Sequence, residues 1–328
     1  SYNSLKKIVH QEKPVIIHFH NTFPLISPLA YSAATEFRIP VIQTLHNYRL
    51  LCANALLFRN GNVCEDCISR KIPFPGLFHA CYRNNHLASS VTVLMQTAHK
   101  LVGTWDHKVD RFIALSEFSK RIFIKGGLPD NKIAVKPNFL PQDPGNINKK
   151  NESGYGLYIG RLSEEKGVVS LIETLQKMSP FPFYFVGDGP LAGKMQRLLS
   201  SGRNHKIKML GKQSRKDVYS ILLNASFLVF PSICYENFPM VIVEAFAHGV
   251  PVIVSDIGAA GEIVKDGYSG LHFRNGNPDD LATKLDQLIH NPRMMKDFGN
   301  NARREYLEKY SEDINYGTLM SIYNSILQ

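Results

Sequence analysis

The sequence has no long apolar run, since no stretch of its 328 residues reaches the roughly 18 apolar residues that a membrane-spanning helix needs. Residues 1–14 also lack the apolar segment of a secretory signal. We therefore expect a cytoplasmic protein. The composition, 44% hydrophobic and 20% charged, excludes a disordered chain, and the length favours two domains.

Acidic residues are scarce in the first half of the chain. Residues 1–150 hold 9 Asp and Glu against 19 Lys and Arg, whereas residues 151–328 hold 19 of each. The basic half predicts an anionic partner, either a membrane surface or a phosphorylated acceptor, unless it is only a solvated basic face. Nucleic acid is not expected as a partner, because the cations are scattered and no zinc finger or ribonucleoprotein-type aromatic motif accompanies them.

Cysteine is also scarce, and the odd total of 5 in a large chain argues for a reducing compartment rather than a disulfide framework. Four of the five lie close together in sequence, at Cys52, Cys64, Cys67 and Cys81. One Cys-x2-Cys pair with two outlying cysteines fits either a structural zinc site or four reduced, buried thiols, and both readings stay open. Because no Asp-x-Asp occurs, we expect no catalytic metal and no cofactor.

Short apolar runs alternate with helical stretches, which is typical of βαβ units and parallel sheets. Residues 139–154, rich in Pro, Gly and Asn, predict a linker. We therefore expect an N-terminal domain over 1–145, a second domain over 146–312, and a final helix over 313–328 that packs back toward the first domain. The first domain lacks the opening strand and glycine-rich turn of a doubly wound domain, since no Gly-x-Gly-x-x-Gly occurs before residue 150.

Helical patterns divide these domains further. In the first domain they predict helices over 87–108 and 117–125. In the second domain the predicted helices cover 168–178, 191–200, 216–225, 239–247 and 279–290.

Two cations follow the first strand of the second half. Gly160-Arg161-Leu162 closes that strand, and Lys166-Gly167 opens the next helix. Ligands of open α/β sheets bind at the carboxyl ends of strands. Arg161 can fork onto two phosphate oxygens and Lys166 supplies a compact charge, which predicts a diphosphate site. Taken alone, such a pair would more often be two surface cations near a turn.

The next strand closes with Gly187-Asp188-Gly189-Pro190. Glycine at that point allows the backbone to approach a flat ring or a sugar closely, so Gly187 and Asp188 are candidate donor-binding residues. A plain tight turn is the alternative.

The loop from Phe230 into the helix after it gives the strongest signal. Pro239 stands where a helix begins, a favoured place for proline. The amides around Asn237, Phe238 and Met240 would then lie at the positive end of that helix, which favours phosphate and makes Asn237, Phe238 and Pro239 candidate donor-binding residues. This loop is therefore expected to hold the diphosphate.

Two glutamates flank that helix start. Glu236 lies in the loop, and Glu244 lies in the second helical turn between the apolar Val243 and Ala245. Because a carboxylate repels a diphosphate, we expect both to bind hydroxyl groups, Glu236 on the sugar and Glu244 on a ribose. A capping glutamate and an exposed helical glutamate are the alternative, which the apolar neighbours of Glu244 disfavour.

Together with Ala247-His248-Gly249-Val250-Pro251-Val252-Ile253, these motifs resemble the GT-B glycosyltransferases of family 4, which are retaining enzymes. The resemblance covers about residues 14–325. It implies an α/β fold of two doubly wound, Rossmann-like domains that face each other across a cleft, the first incomplete. Thr44-Leu45-His46-Asn47 resembles the strand end whose histidine lines the family's cleft, so His46 and Glu236 are the expected catalytic residues.

The resemblance implies a hexosyltransferase that moves a sugar from a nucleotide diphosphate sugar, with UDP expected from its frequency in the family. The acceptor would be a glycan or a lipid-linked glycan of envelope polysaccharide synthesis, reached by a peripheral protein at the inner face of the cell membrane. A nucleotide-sugar-binding protein without turnover and a GT-B nucleotide-sugar epimerase are the alternatives. The first is favoured by the missing opening, and the second would need acid–base residues in place of an acceptor site.

Overall fold

The computed structural model describes residues 1–145, 154–202 and 204–327. The chain divides into two compact units, and the first comprises residues 1–137 together with the segment from Asn315 onward. The second unit is Asn138–Ile314. This division falls before the boundary expected at 145/146, and residues 146–153 of the expected linker lie outside the described residues.

The first unit is built around a small parallel sheet. Its helices in the residues up to 137 are α1 Tyr2–Glu12, α2 Leu29–Glu36, α3 Phe74–Phe78, α4 His86–Leu101, α5 Thr104–His107 and α6 Glu117–Lys125. Its strands are β1 Ile17–His20, β2 Val41–Thr44, β3 Phe58–Arg59, β4 Asn62–Val63, β5 Arg111–Ala114 and β6 Ile133–Val135. The parallel sheet has the order β1-β2-β5-β6, and β3 pairs with β4 in a separate antiparallel hairpin.

The second unit contains the larger sheet. Its strands are β7 Tyr155–Ile159, β8 Phe183–Val186, β9 Ile207–Gly211, β10 Ala225–Phe230, β11 Val252–Ser255 and β12 Gly270–Phe273. Its helices are α7 Val168–Lys177, α8 Ala192–Ser201, α9 Arg215–Asn224, α10 Met240–Ala247, α11 Gly258–Ile263, α12 Pro278–Ile289 and α13 Pro292–Lys309.

The strand order of the second sheet locates its ligand crevice. The order is β12-β11-β10-β7-β8-β9, and every neighbouring pair is parallel. Counted from the first strand of the unit, this is the Rossmann order, which reverses between β7 and β10. Ligands of such sheets bind outside the carboxyl ends of the strands at that reversal. The loops after β7 and β10 therefore border the expected ligand crevice.

Both faces of this sheet are buried, which is why its strands are continuous apolar runs. Leu157 and Leu228 face one apolar cluster, which includes Phe246 of α10. The next residues along the strands, Tyr158 and Val229, face the opposite cluster. A fully buried side chain of this size contributes about 1.5–3 kcal/mol to stability, so the two clusters fix the strand ends firmly.

The last helix, α14 Glu312–Leu327, contributes to the first unit from Asn315 onward. Its Ile322 packs against Ile42 and Ile113 of the first sheet. The Lys136 ammonium donates a hydrogen bond to Asn315 Oδ1 at 2.9 Å. The C-terminal segment is thus part of the packed core of the first unit.

Candidate functional site

A cavity of about 330 Å³ opens in the second unit at the reversal of strand order. Its walls come from the end of β7, the end of β10 and the first turn of α10, with Lys166, Glu236, Phe238 and Pro239 among the lining residues. This volume lies at the lower end of the range of small-molecule sites. The unpaired amides of a first helical turn favour anions, so this end of the cavity suits a phosphate.

Pro239 is the residue just before the helix, which begins at Met240, so it caps α10 rather than opening it. Phe238 lies next to it and packs edge-on against the Tyr310 ring at 6.0 Å between centroids. This contact holds the loop before α10 against the end of α13.

Lys166 and Glu236 form an ion pair at the cavity wall, although they are 70 residues apart in sequence. Both side chains are mostly buried, at 24% and 17% exposure. The same carboxylate oxygen accepts a hydrogen bond from the Ser232 hydroxyl at 2.9 Å. Sequence reasoning gave Ser232 no role, although its place at the end of a central strand was a signal.

Backbone packing brings these two loops together. Gly167 has a φ of +66°, and a Cβ there would lie 2.0 Å from the carbonyl oxygen of Pro231. The Ile233 amide and the Ser232 hydroxyl both donate to the Glu165 carbonyl, at 2.9 and 3.1 Å. Glycine is therefore required at position 167, because any side chain would separate Lys166 from the opposite loop.

The other predicted donor-binding residues lie around this cavity rather than in its wall. Arg161 is exposed in the loop after β7, and its neighbour Leu162 donates its amide to the Asp188 carbonyl at 2.9 Å. Gly187 adopts a φ of +136°, and a Cβ there would lie 1.9 Å from the Gly160 carbonyl oxygen. Close contact between the two loops, rather than approach to a ligand, thus explains that glycine.

Two more predicted residues occupy different surroundings. Asn237 is buried in the loop before α10, at 9% exposure. Glu244 is half-buried in the second turn of α10, where burial raises the pKa of its carboxyl and the nearby Arg215 opposes that rise. Glu244 lies three residues, less than one helical turn, beyond Val241, the last residue of α10 that lines the cavity.

His46 lies in the first unit and lines a smaller cavity of about 40 Å³. Its Nε2 is 2.7 Å from Nδ1 of His20, at the end of the neighbouring strand β1. Burial, His20 and Lys136 lower the pKa of His46 to about 4. The pair is thus uncharged near neutral pH, and one ring donates to the other. Sequence reasoning did not assign a role to His20, although parallel strand ends meet at one sheet edge.

His18 extends this cluster toward the last helix. Its Nδ1 is 2.7 Å from the Tyr323 hydroxyl, and its Nε2 is 2.7 Å from Thr44 Oγ1. Burial, followed by the charges of His20, Lys136 and His46, lowers the pKa of His18 to about 4.

The four clustered cysteines, Cys52, Cys64, Cys67 and Cys81, all line one small cavity in the first unit. Across residues 1–145, 154–202 and 204–327, no group of three Cys, His, Asp or Glu side chains is arranged to hold a metal ion. The Cys52 thiol instead donates to Asn54 Oδ1 at 2.9 Å, and burial raises the pKa of Cys67 to about 12. Burial also raises the pKa of the Cys64 and Cys81 thiols.

The chain belongs to the glycosyl transferases group 1 family, since the model of that family matches residues 141–305. The model of glycosyltransferase family 4 matches residues 1–143. The family predicted from the motifs is therefore confirmed.

Two curated relatives illustrate the similarity. An uncharacterized glycosyltransferase of Methanocaldococcus jannaschii is 39% identical over 170 residues, covering 50% of this chain and 48% of the relative. The N,N'-diacetylbacillosaminyl-diphospho-undecaprenol alpha-1,3-N-acetylgalactosaminyltransferase of Campylobacter jejuni is 26% identical over 260 residues, covering 74% of this chain and 66% of the relative. The chain spans about half of the length of the first curated relatives it matches.

Among solved structures, Anabaena HepE in complex with UDP is similar to this chain with a TM-score of 0.72 at 19% identity. The similarity covers 98% of this chain and 82% of HepE. With the two parallel sheets, it confirms the predicted GT-B fold of Rossmann-like units. Among the described residues, no helix combines the length and apolar character needed to cross a bilayer.

Proposed function

We propose that this protein is a retaining hexosyltransferase that takes a sugar from a nucleoside diphosphate sugar, with UDP as the nucleotide. The observation that carries the proposal is the Lys166–Glu236 pair in the wall of a ligand-sized cavity at the strand-order reversal. One cation and a helix start suit a diphosphate, and one carboxylate suits sugar hydroxyls. The UDP bound by HepE supports the choice of nucleotide.

In this proposal each residue has a separate task. Arg161, Lys166 and the start of α10 stabilise the charge of the leaving diphosphate, a contribution that often dominates catalysis. Glu236 orients the sugar, and Glu244 binds the ribose. His46, uncharged at neutral pH, contacts the donor sugar. No catalytic metal is required by this arrangement, since cations and helix amides supply the counter-charge.

We further propose that the acceptor is a glycan or lipid-linked glycan of envelope polysaccharide synthesis, reached at an anionic membrane surface on the cytoplasmic side. Helix α4 supports this, because Leu87, Val91, Leu94 and Leu101 recur at helical spacing and are 65–80% exposed. Residues 69–105 contain four Lys and Arg but no Asp or Glu. An exposed apolar face with basic surroundings suits an anionic lipid surface.

The donor assignment is tested by calorimetric titration with UDP-, GDP- and ADP-sugars. We expect UDP-sugars to bind, and Lys166→Ala to weaken binding by about tenfold or more, since a hydrogen bond to a charged group is lost. Lys265→Ala is the matched control, because Lys265 pairs with Glu305 in the same unit outside the cavity lining. Unchanged affinity in Lys166→Ala would contradict the proposal, and binding without transfer would favour a nucleotide-sugar-binding protein.

The membrane assignment has its own measurement. Leu94→Glu in the exposed face of α4 should reduce sedimentation with vesicles of phosphatidylglycerol and phosphatidylcholine. Leu307→Glu alters an exposed leucine of α13 and should leave sedimentation unchanged. Equal sedimentation of both variants and the unmodified protein would exclude α4 as the lipid contact.

A further inference from the structure

Arg49 lines the same cavity of about 40 Å³ in the first unit as His46, which is three residues away in sequence. Its guanidinium rests on two aromatic rings, 5.3 Å from the centroid of Phe23 and 4.9 Å from that of Tyr82. Two rings on a planar cation hold it in one orientation. Arg49 is therefore a fixed positive charge rather than a mobile surface side chain.

No carboxylate of the described residues forms an ion pair with this guanidinium. Its Nη1 is buried and makes no hydrogen bond within the described part of the chain. Burial lowers the pKa of the Arg49 guanidinium, and the modest opposing effects come from Tyr82 and Cys52 rather than from a carboxylate. Because arginine stays charged in proteins, an uncompensated guanidinium in this position costs stability. Such a cost is expected where a ligand supplies the missing charge.

The rest of the cavity also suits an anion. Among the described residues that line it, none is Asp or Glu, whereas Asn21, Asn47 and Gln96 contribute side-chain amides. Two of these groups are fixed by backbone contacts, since the Gln96 amide donates to the Arg49 carbonyl at 2.5 Å and Asn47 Oδ1 accepts from the Arg49 amide at 2.9 Å. Asn47 Nδ2 donates to Asn21 Oδ1 at 2.9 Å, and the atom of Gln96 that has no partner among the described residues is its acceptor Oε1. The Arg49 guanidinium is therefore the principal donor that this cavity offers to an anion.

Size decides which anion fits. At about 10–15 Å³ for each water-sized group on this measure, a cavity of about 40 Å³ holds roughly three such groups. That is room for one tetrahedral oxyanion and not for a nucleotide or a sugar ring. A phosphate can accept two parallel hydrogen bonds from the forked N–H groups of a guanidinium, which a single donor cannot supply.

We infer that this cavity, with Arg49 as its principal cation, binds a phosphate group of the acceptor substrate. The inference rests on the proposed function for the identity of the ligand as an acceptor, whereas phosphate binding itself does not depend on it. The phosphate comes either from a lipid phosphate or from a phosphorylated soluble glycan, and both present the same group to Arg49.

The test measures binding of inorganic phosphate by calorimetry to the unmodified chain and to Arg49→Gln. We expect about tenfold weaker binding or a complete loss in the variant, because a charge-assisted contact is removed. Arg83→Gln is the matched control, since Arg83 is exposed and stacks on the same Tyr82 ring at 5.3 Å but does not line the cavity. Equal binding by Arg49→Gln and the unmodified chain, or an equal loss in Arg83→Gln, would overturn the inference.

Thermal unfolding separates a ligand site from a purely structural arginine. If Arg49 awaits an anion, phosphate raises the Tm of the unmodified chain but not of Arg49→Gln, by the linkage of binding to stability. If Arg49 only packs between two rings, Arg49→Gln unfolds at lower temperature and phosphate has no effect on either protein, which would overturn the inference. Arg49→Lys, which keeps the charge, should retain part of the phosphate effect if the glutamine variant does not fold.

Two further arms identify the source and isolate the donor site. Stronger binding to phosphatidylcholine vesicles that carry a polyprenyl phosphate than to free phosphate supports a lipid acceptor, whereas free phosphate alone supports a soluble phosphorylated glycan. Lys166→Ala should weaken UDP binding but keep Arg49-dependent phosphate binding. Arg49→Gln should weaken phosphate binding but keep UDP binding. Failure of UDP binding alone would therefore refute the proposed donor and leave the phosphate site standing.

Discussion

Acidification should destabilise the first unit through its buried histidines. Burial lowers the pKa of both His18 and His46 from 6.5 to about 4, so each is neutral in the native state where the unfolded chain is protonated. The stability that these two neutral histidines contribute is fully present above pH 6.5. It is lost as the pH falls toward 4, since the unfolded state binds more protons in that window. At pH 5 linkage gives about 2 kcal/mol for each histidine, and solvent screening with mutual coupling reduces this to about 1 kcal/mol each.

Urea unfolding at pH 7 and pH 5, followed by tryptophan fluorescence, measures this effect. The chain has 1 tryptophan, Trp105, which is buried in the first unit and therefore reports on that unit. His18→Gln should reduce the loss between the two pH values by about 1 kcal/mol, because one titrating histidine is removed. His46 remains, together with His20 and His99, whose pKa values are also lowered. His10→Gln changes an exposed histidine of α1 and should keep the full loss. The reasoning fails if stability does not change with pH, or if His18→Gln loses as much as the unmodified chain.

Three further predictions concern other parts of the molecule. His20→Asn should lower kcat of sugar transfer by roughly tenfold with little change in KM, because the ring that faces His46 Nε2 is removed, and steady-state kinetics would show it. Gly187→Ala should lower the free energy of unfolding in urea by at least about 2 kcal/mol, whereas Gly211→Ala, with nothing near its Cβ, should cost only about 1 kcal/mol. Cys67 should react with iodoacetamide far more slowly in the native protein than in urea at pH 8, since its raised pKa leaves almost no thiolate, and equal rates would contradict the buried thiol.

The strands were predictable because both faces of each sheet are covered. The runs at 183–186 and 270–273 are apolar, are flanked by turn residues, and form β8 and β12. Helix ends were harder to place from the sequence. One helix was expected over 87–108, but Gly103 adopts a φ of +62° and separates α4 from α5. The helix expected over 216–225 ends at Asn224, because Ala225 already pairs with Tyr155 in the sheet.

Helices α2 and α13 are two of the helices that the sequence analysis did not predict, and each has a physical reason. Helix α2 is short and rich in alanine, so its apolar periodicity is weak. Helix α13 is strongly polar and contains Gly299, which disfavours a helix in isolation. In the structure a Cβ at Gly299 would lie 2.4 Å from the Gly249 carbonyl oxygen, so the close approach of α13 requires that glycine. Both segments are helical because of tertiary packing, which the local sequence does not reveal.

Several residues in the wall of the cavity at α10 were singled out from the sequence, but their partnerships were not. Lys166 and Glu236 were assigned to different parts of the donor, yet they pair with each other in the structure. The same limit applied to His20 and His46, which are 26 residues apart and meet only because β1 and β2 are parallel neighbours.

The pairing of Lys166 with Glu236 has a consequence for how a donor enters. In this pair the carboxylate cancels most of the lysine charge. Under the proposed function, the attraction for an incoming diphosphate therefore comes first from Arg161 and the start of α10. When a phosphate oxygen takes the ammonium, Glu236 gives up its cation and becomes available to sugar hydroxyls, while Ser232 still holds one of its oxygens. We therefore expect Glu236→Gln to leave UDP affinity unchanged or improved, and to weaken the binding of UDP-sugar relative to UDP. Equal losses of affinity for UDP and UDP-sugar would show instead that the carboxylate only positions the lysine.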